Sequence, residues 1–99
     1  MPNAALIVDQ SNKAAGAGEV VAFTSTSGQS AALPTGTKNV RIVLSTAGFI
    51  EIGTDPTAVT TTSFYLPAGV VEYFSAIAGE KVAIIRQTSD GSAYIRGVK

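Results

Sequence analysis

Residues 40–44, Val-Arg-Ile-Val-Leu, open a series of short apolar runs separated by turn residues. The series continues with Gly-Phe-Ile-Glu-Ile-Gly at 48–53 and with runs at 64–74, 81–87 and 92–96. Because side chains alternate across a β-strand, each run offers one face to a core and the other to water or a partner. Short runs at this spacing predict an all-β fold, a single-domain antiparallel β-sandwich. No 3.6-residue periodicity lasts for a full helix length, so we expect almost no helix.

Turn residues between neighbouring runs predict how the strands pair. A first strand is expected over 19–26. Residues 40–45 and 49–52 are close enough to form a hairpin across the short connection between them. The dipeptide Asp90-Gly91 is a strong hairpin signal between the run at 81–87 and the last run. Local hairpins are therefore expected to build much of the sandwich.

The chain divides into an arm and a body. Its 99 residues are enough for one domain. Residues 1–18 are predicted to form an extended N-terminal arm, because they contain many small residues and little to bury, and 19–99 form the β-sandwich domain. Leu6, Ile7 and Val8 are the apolar exception, which could add an edge strand or dock on a neighbouring subunit. Ordinary fraying of the arm is an equal alternative.

Composition limits the partners. Hydrophobic residues make up 45% and charged residues 14% of the chain, against an average charged share of about a quarter. The apolar excess favours contact with another subunit, although abundant alanine is an alternative explanation. Seven basic and seven acidic residues balance, which disfavours nucleic acid and anionic membranes as partners. Three of the basic residues, Arg41, Arg86 and Arg96, lie on predicted strands, where an arginine covers apolar surface or bridges to a carboxylate on another subunit.

The residues needed for common catalytic mechanisms are missing. The chain has no histidine and no cysteine, which excludes Ser-His-Asp and Cys-His mechanisms and most transition-metal sites. A carboxylate pair could still hydrolyse glycosides. The carboxylate candidates are Glu51, Asp55, Glu72, Glu80 and Asp90. Each of them has a structural explanation on a strand or in a turn, so we expect no enzyme, no cofactor, no metal and no small-molecule substrate.

The N-terminal residues bear on localisation. They lack a basic region, and their apolar stretch is too short for a secretory signal peptide. No apolar run approaches the roughly 20 residues that cross a bilayer. We therefore expect the protein to be made in the cytoplasm. Without disulfides, oligomerisation is the expected support for so small a core.

The aromatic residues allow two interpretations. The ones considered are Phe64, Tyr65, Tyr73, Phe74 and Tyr94. Exposed on one face, they could stack against sugars. However, Phe64 and one of the Tyr73/Phe74 pair are expected to fill the core, and the chain has no tryptophan. Core and subunit interface are therefore favoured over a glycan site.

Four segments of the chain resemble small proteins encoded among the virion genes of tailed bacteriophages. They are residues 41–46, 52–58, 65–74 and 79–85. The last three follow the patterns ΦGxDPTA, YLPAGVxEYF and GEKVAΦI, where Φ is apolar and x is any residue. The resemblance covers somewhat over half of the chain. It implies a structural protein of jelly-roll-like fold that cements or decorates the capsid exterior in the virion.

The resemblance also implies partners. A cement protein would clamp major capsid protein subunits and form a symmetric homo-oligomer, a trimer or a dimer. Contacts are expected where the strand pattern is interrupted, at 53–62 and 66–69, and on the arm. The candidate interface residues are Leu6, Ile7, Val8, Thr54, Asp55, Pro56, Thr57, Tyr65, Leu66 and Pro67. The alternative is a tail-fibre or surface module that binds host carbohydrates, and an enzyme is a distant third.

Overall fold

The computed structural model describes residues 13–99, which form eight β-strands and no helix. The strands are β1 (Glu19–Phe23), β2 (Gly28–Gln29), β3 (Asn39–Leu44), β4 (Gly48–Gly53), β5 (Phe64–Leu66), β6 (Glu72–Ser75), β7 (Lys81–Arg86) and β8 (Gly91–Val98). The predicted all-β class is therefore confirmed. In this part of the chain no helix is long and apolar enough to cross a membrane.

The strands form two antiparallel sheets of four strands. The first sheet has the order β1-β8-β3-β6 and the second has the order β2-β7-β4-β5. Strand β1 pairs with β8, β2 with β7, β3 with β6 and β4 with β5. Two further pairs, β3 with β8 and β4 with β7, complete the sheets. The strands thus pair from the two ends of the chain towards the middle, as in one long hairpin that is closed between β4 and β5.

One hydrophobic cluster contains side chains from both sheets. In β3, Val40, Ile42 and Leu44 are fully buried and alternate with half-buried residues. In β7, Val82 and Ile84 join the same cluster from the second sheet. Burying one such side chain contributes about 1.5–3 kcal/mol. The two sheets therefore face one another across a shared core.

Both predicted hairpins are wrong. Strand β3 lies in the first sheet and β4 in the second, so the chain crosses between sheets at residues 45–47. The same happens between β7 and β8, around Asp90-Gly91. The physical reason is that both strands of each pair send their buried side chains into one core from opposite sides, as Leu44 and Ile50 do. Only the connection from β4 to β5 stays within one sheet.

The prediction that Phe64 fills the core is also wrong. Its side chain is 66% exposed. Phe64 lies on β5, an edge strand, where its ring meets Phe74 of β6 edge-on at a centroid distance of 5.1 Å. Phe74 is partly buried against the core. Because β5 and β6 are edge strands of opposite sheets, this aromatic pair lies at the open side between the sheets.

The described part of the predicted arm lies along β8. Ala14 forms an antiparallel bridge with Val98, and the amide of Ala15 donates to the carbonyl of Gly97 at 2.9 Å. The side chain of Ala15 is 1% exposed. Residues 13–15 are thus attached to the edge of the first sheet. Leu6, Ile7 and Val8 lie outside the described residues.

Gly48, where β4 begins after the crossing, is expected to tolerate no side chain. A Cβ there would lie 2.8 Å from the carbonyl oxygen of Ile85 and 3.2 Å from Cδ1 of Leu44. Backbone of a neighbouring strand cannot move aside without breaking its pairing. We therefore expect Gly48→Ala to lower the free energy of unfolding by about 1–3 kcal/mol in urea titrations.

Gly28→Ala is the matched control. Gly28 lies in β2, and a Cβ there would meet nothing within 4 Å. The control is expected to leave the free energy of unfolding unchanged within about 1 kcal/mol or to raise it slightly. Equal losses from the two substitutions would contradict the proposed close packing at the crossing.

Candidate functional site

The β4–β5 loop, residues 54–63, lies over the outer face of the second sheet. Gln29 of β2 and Glu51 of β4 are both register partners of Ala83 in β7, so the three residues form one row across the sheet. Ala83 is fully buried, although its strand neighbours Val82 and Ile84 occupy the core side. An outward side chain is buried only when something covers it. The contacts of this row show that the loop provides the cover.

Hydrogen bonds hold the loop at both ends. The amide Nε2 of Gln29 donates to Asp55 Oδ1 and to the carbonyl of Pro56, both at 2.8 Å. At the other end, Ser63 Oγ donates to Glu51 Oε1 at 2.7 Å. A side-chain bond to a carboxylate is stronger than one between neutral groups. The loop is therefore fastened to both flanks of the row that it covers.

The loop offers fewer contact residues than the sequence predicts. Pro56 is buried, and so is Ala58 at 1% exposure. Asp55 is exposed, but one of its carboxylate oxygens accepts the bond from Gln29. Thr54 and Thr57 are exposed. Of the four predicted loop residues, Pro56 is thus a packing residue, Asp55 is exposed but holds the loop, and the two threonines are exposed.

The three candidate residues at the second predicted interruption, Tyr65, Leu66 and Pro67, differ in burial. Leu66 is 1% exposed and belongs to the core, so its side chain does not reach a partner, contrary to prediction. Tyr65 is 47% exposed, and its ring lies 5.3 Å from that of Phe49. The hydroxyl of Tyr65 makes a long hydrogen bond, 3.4 Å, to Gln87 Oε1. Tyr65 and Pro67 remain at the surface.

The outer face of the first sheet brings together Arg41, Arg96, Tyr73 and Tyr94, which the sequence singles out separately but which are not among the predicted interface residues. Strand register places them in two adjacent rows, one apolar and one basic. Val20, Tyr94 and Val43 are register partners across β1, β8 and β3. Arg96, Arg41 and Tyr73 are register partners across β8, β3 and β6. We call this surface the Arg–Tyr face, made of Val20, Arg41, Val43, Tyr73, Tyr94 and Arg96.

The Arg–Tyr face is open to solvent. Val20 is 62% exposed, Tyr94 47% and Tyr73 46%. A shallow cavity of about 210 Å³ lies on it, with Arg41, Tyr94 and Arg96 in its lining. Tyrosine and arginine are the residue types enriched at the energetic centres of protein interfaces. Because the face lies on paired strands, its side chains are held on a rigid base.

The sequence contains a weak signal for this face. Arg41 and Val43 on one strand, and Tyr94 and Arg96 on another, are outward positions spaced by two residues. Residues two apart on a strand lie on the same face, so each pair shares one side of its strand. What the spacing does not reveal is that the two strands are neighbours. For that reason the sequence predicts contacts at residues 53–62 and 66–69, where the strand pattern is interrupted.

The carboxylates mostly support local structure. Glu80 Oε1 accepts from the amide of Ile77 at 2.9 Å, closing its own turn. Asp90 Oδ1 accepts from Arg86 Nη1 at 2.6 Å. Glu51 and Asp55 hold the β4–β5 loop. Four of the five carboxylates that were candidates for a catalytic pair therefore have a structural role. Residues 13–99 contain no group of three or more side chains that could hold a metal ion.

Comparison of the chain with family models, with curated proteins and with solved structures found no match. Any functional assignment therefore depends on the geometry of the molecule. The described residues form three distinct surfaces: the sheet face covered by the β4–β5 loop, the Arg–Tyr face, and the edge where Phe64 meets Phe74.

Gln29→Ala is expected to release the β4–β5 loop. The substitution removes two hydrogen bonds of 2.8 Å to Asp55 and Pro56. Each bond contributes about 0.5–1.5 kcal/mol, so the free energy of unfolding should fall by about 1–2 kcal/mol. Amide hydrogen exchange should rise in residues 54–63 before it rises in the strands.

Gln87→Ala is the control for that experiment, since the one side-chain hydrogen bond that Gln87 makes within residues 13–99 is the long one to Tyr65. We expect it to leave both the exchange of the loop and the free energy of unfolding nearly unchanged. A loop that exchanges equally slowly in Gln29→Ala and in the wild-type chain would show that Gln29 does not hold it.

Proposed function

We propose that the chain is a cement or decoration protein of a tailed-bacteriophage capsid, with a jelly-roll sandwich fold. It binds the outer surface of the shell built by the major capsid protein. The observation that carries the proposal is the Arg–Tyr face, a rigid sheet surface on which Val20, Tyr73, Tyr94 and Arg96 are exposed and Arg41 and Val43 are half-buried. Such a surface suits contact with another protein.

The strand order supports the finer fold assignment. Pairing of β1 with β8, β2 with β7, β3 with β6 and β4 with β5 is what results when one long hairpin is rolled into two sheets. Eight strands in two facing sheets of this kind are characteristic of jelly rolls, which include viral capsid and lectin domains. Because one fold serves many functions, the proposed function rests on the surface of the molecule and not on the fold alone.

The difference between the outer faces of the two sheets supports attachment to the shell through one face only. The outer face of the second sheet is partly occupied by the chain's own β4–β5 loop, which Gln29 and Glu51 hold in place. The Arg–Tyr face has no such cover among residues 13–99. A ligand that binds only the assembled state stabilises that state by mass action. A block with one open face, bound across neighbouring capsid subunits, would therefore strengthen the shell.

A second surface supports the symmetric oligomer that belongs to the proposal. At the side between β5 and β6, Phe64 is 66% exposed and packs against Phe74; Val71 and Ile77, which flank β6 in the sequence, are 42% and 63% exposed. Edge strands with exposed apolar side chains tend to be covered by another chain. A dimer or trimer closed through this side would leave the Arg–Tyr face of every subunit free for the shell.

Copy number in purified virions tests the proposed function. A cement protein is expected at a fixed, high ratio to the major capsid protein by quantitative mass spectrometry. Virions that lack it should release DNA at a lower temperature, and added purified protein should restore the original temperature because it binds the intact shell. Absence from virions, or a copy number typical of a tail, would refute the function.

A carbohydrate-binding module is the second candidate, because the rings of Tyr65, Tyr73 and Tyr94 are each nearly half exposed. Flat aromatic rings at a surface are suited to stack on sugars. If the cement proposal is right, a glycan array incubated with the wild-type chain should show no specific binding. Specific binding that disappears in Tyr65→Ala or Tyr94→Ala would establish the carbohydrate function in its place.

A further inference from the structure

We propose that the Arg–Tyr face is the surface that binds the shell, and that the shell presents protein carboxylates to Arg41 and Arg96. This inference rests on the proposed function and specifies the chemistry of its partner. The partner surface is acidic where it meets the two arginines and apolar beside them. Three properties of the face support this, namely its like-charge pair, its unused donors and its apolar row.

The first property is a like-charge pair within the sheet. Arg41 of β3 and Arg96 of β8 are register partners, and both side chains lie on the outer face. Like charges directly opposite each other on a sheet destabilise the pairing. The isolated chain therefore carries an unfavourable arrangement at the centre of its open face. A carboxylate placed between the two guanidinium groups would turn the repulsion into attraction.

The second property is that both guanidinium groups retain free donors. Within residues 13–99 the one ion pair is Arg86 with Asp90, on the other sheet. Arg96 Nη2 donates to the carbonyl of Gly16 at 3.0 Å, and no side-chain hydrogen bond of Arg41 occurs among the described residues. A guanidinium has five N–H donors in a planar fork that fits a carboxylate bidentately. Most of this donor capacity faces outward.

The third property is the apolar row beside the arginines. Val20, Tyr94 and Val43 lie next to the basic row in strand register. Covering this row removes apolar surface from water and also lowers the dielectric around the arginines, which strengthens their pairing. A nucleic acid backbone offers phosphates but no such apolar surface, and the chain as a whole has no net charge to attract it. A protein surface fits both rows.

Charge also argues against a second copy of the same face as the occupant. Two Arg–Tyr faces packed together would bring two copies of Arg41 and two of Arg96 into one interface, where the carboxylate in the cavity lining, Glu19, already accepts from the amide of Ala31. Like charges buried together are strongly unfavourable. The side between β5 and β6 carries the exposed ring of Phe64 and no arginine in its lining, so it is better suited to self-association.

The test is binding of the purified protein to shells from which the protein has been omitted, measured by co-sedimentation. The double variant Arg41→Gln/Arg96→Gln keeps most of the side-chain length and removes both charges. We expect its dissociation constant to rise at least about tenfold, because truncating paired charges at an interface mainly speeds dissociation. Raising the salt concentration should weaken the wild-type protein more than the double variant.

Thermal stability separates a binding role from a structural one. Since the two arginines repel each other in the isolated chain, the double variant should melt at the same temperature as the wild-type protein or slightly higher. Arg86→Gln is the matched control, with the same change on the other sheet in an exposed ion pair. It should bind shells as the wild-type protein does. Weaker binding of Arg86→Gln equal to that of the double variant would overturn the assignment of the face.

The partner's chemistry is tested from the other side. Shells whose surface carboxylates have been converted to amides should bind the wild-type protein as weakly as native shells bind the double variant. The same treatment should have little further effect on the double variant, since the paired charges are already absent. Full binding of the wild-type protein to amidated shells would overturn the carboxylate proposal.

The outcomes distinguish this inference from the proposed function. Wild-type protein that does not bind shells at all would refute the proposed function itself. Wild-type and double-variant proteins that bind equally well would refute the inference and leave the function standing. A melting temperature of the double variant that falls along with its binding would assign the arginines a structural role and overturn the inference. Binding to duplex DNA that the double substitution abolishes would also overturn it.

Discussion

The requirement that both sheets bury one face in a single core controls the rest of this structure. Leu44, Ile50 and Ile84 reach the same cluster from opposite sheets. In a small chain there is too little apolar surface for two separate cores. All connections except the one from β4 to β5 therefore carry the chain from one sheet to the other. Short connections that resemble hairpins in the sequence become crossings for this reason.

The shared core also determines which surfaces can meet other molecules. The inner faces of both sheets are buried in the core. Contact with other molecules must therefore occur at the outer faces of the sheets and at the edge strands. On the second sheet, Gln29 and Glu51 hold a loop that hides Ala83. On the first sheet, Arg41 and Arg96 stand opposite each other without cover from the described residues. This asymmetry leaves one outer sheet face without cover from the described residues, and it is the physical basis of the proposed attachment to a shell.

Strand positions and the inward or outward sense of each residue were predictable to a large extent. The alternation around Val82 and Ile84 places both on the core side, as the structure does. Pairing partners were not predictable, since alternation says which face a residue occupies but not which strand lies beside it. Position along the sheet mattered as well. Phe64 lies in an apolar run, which predicts that it is buried, yet it lies on an edge strand with too few neighbours to bury it.

The candidate site was likewise predictable only in part from the sequence. Of the predicted interface residues Tyr65, Leu66 and Pro67, the first and last are exposed, whereas Leu66 between them is buried because alternation turns it inward. The sequence by itself determined the all-β class, the absence of histidine and cysteine chemistry and the placement of Arg41, Arg86 and Arg96 on strands. Only the tertiary structure decided that Arg41 and Arg96 are neighbours and that the β4–β5 loop covers a sheet. Both depend on pairing between strands far apart in the chain, which one shared core enforces and no local pattern encodes.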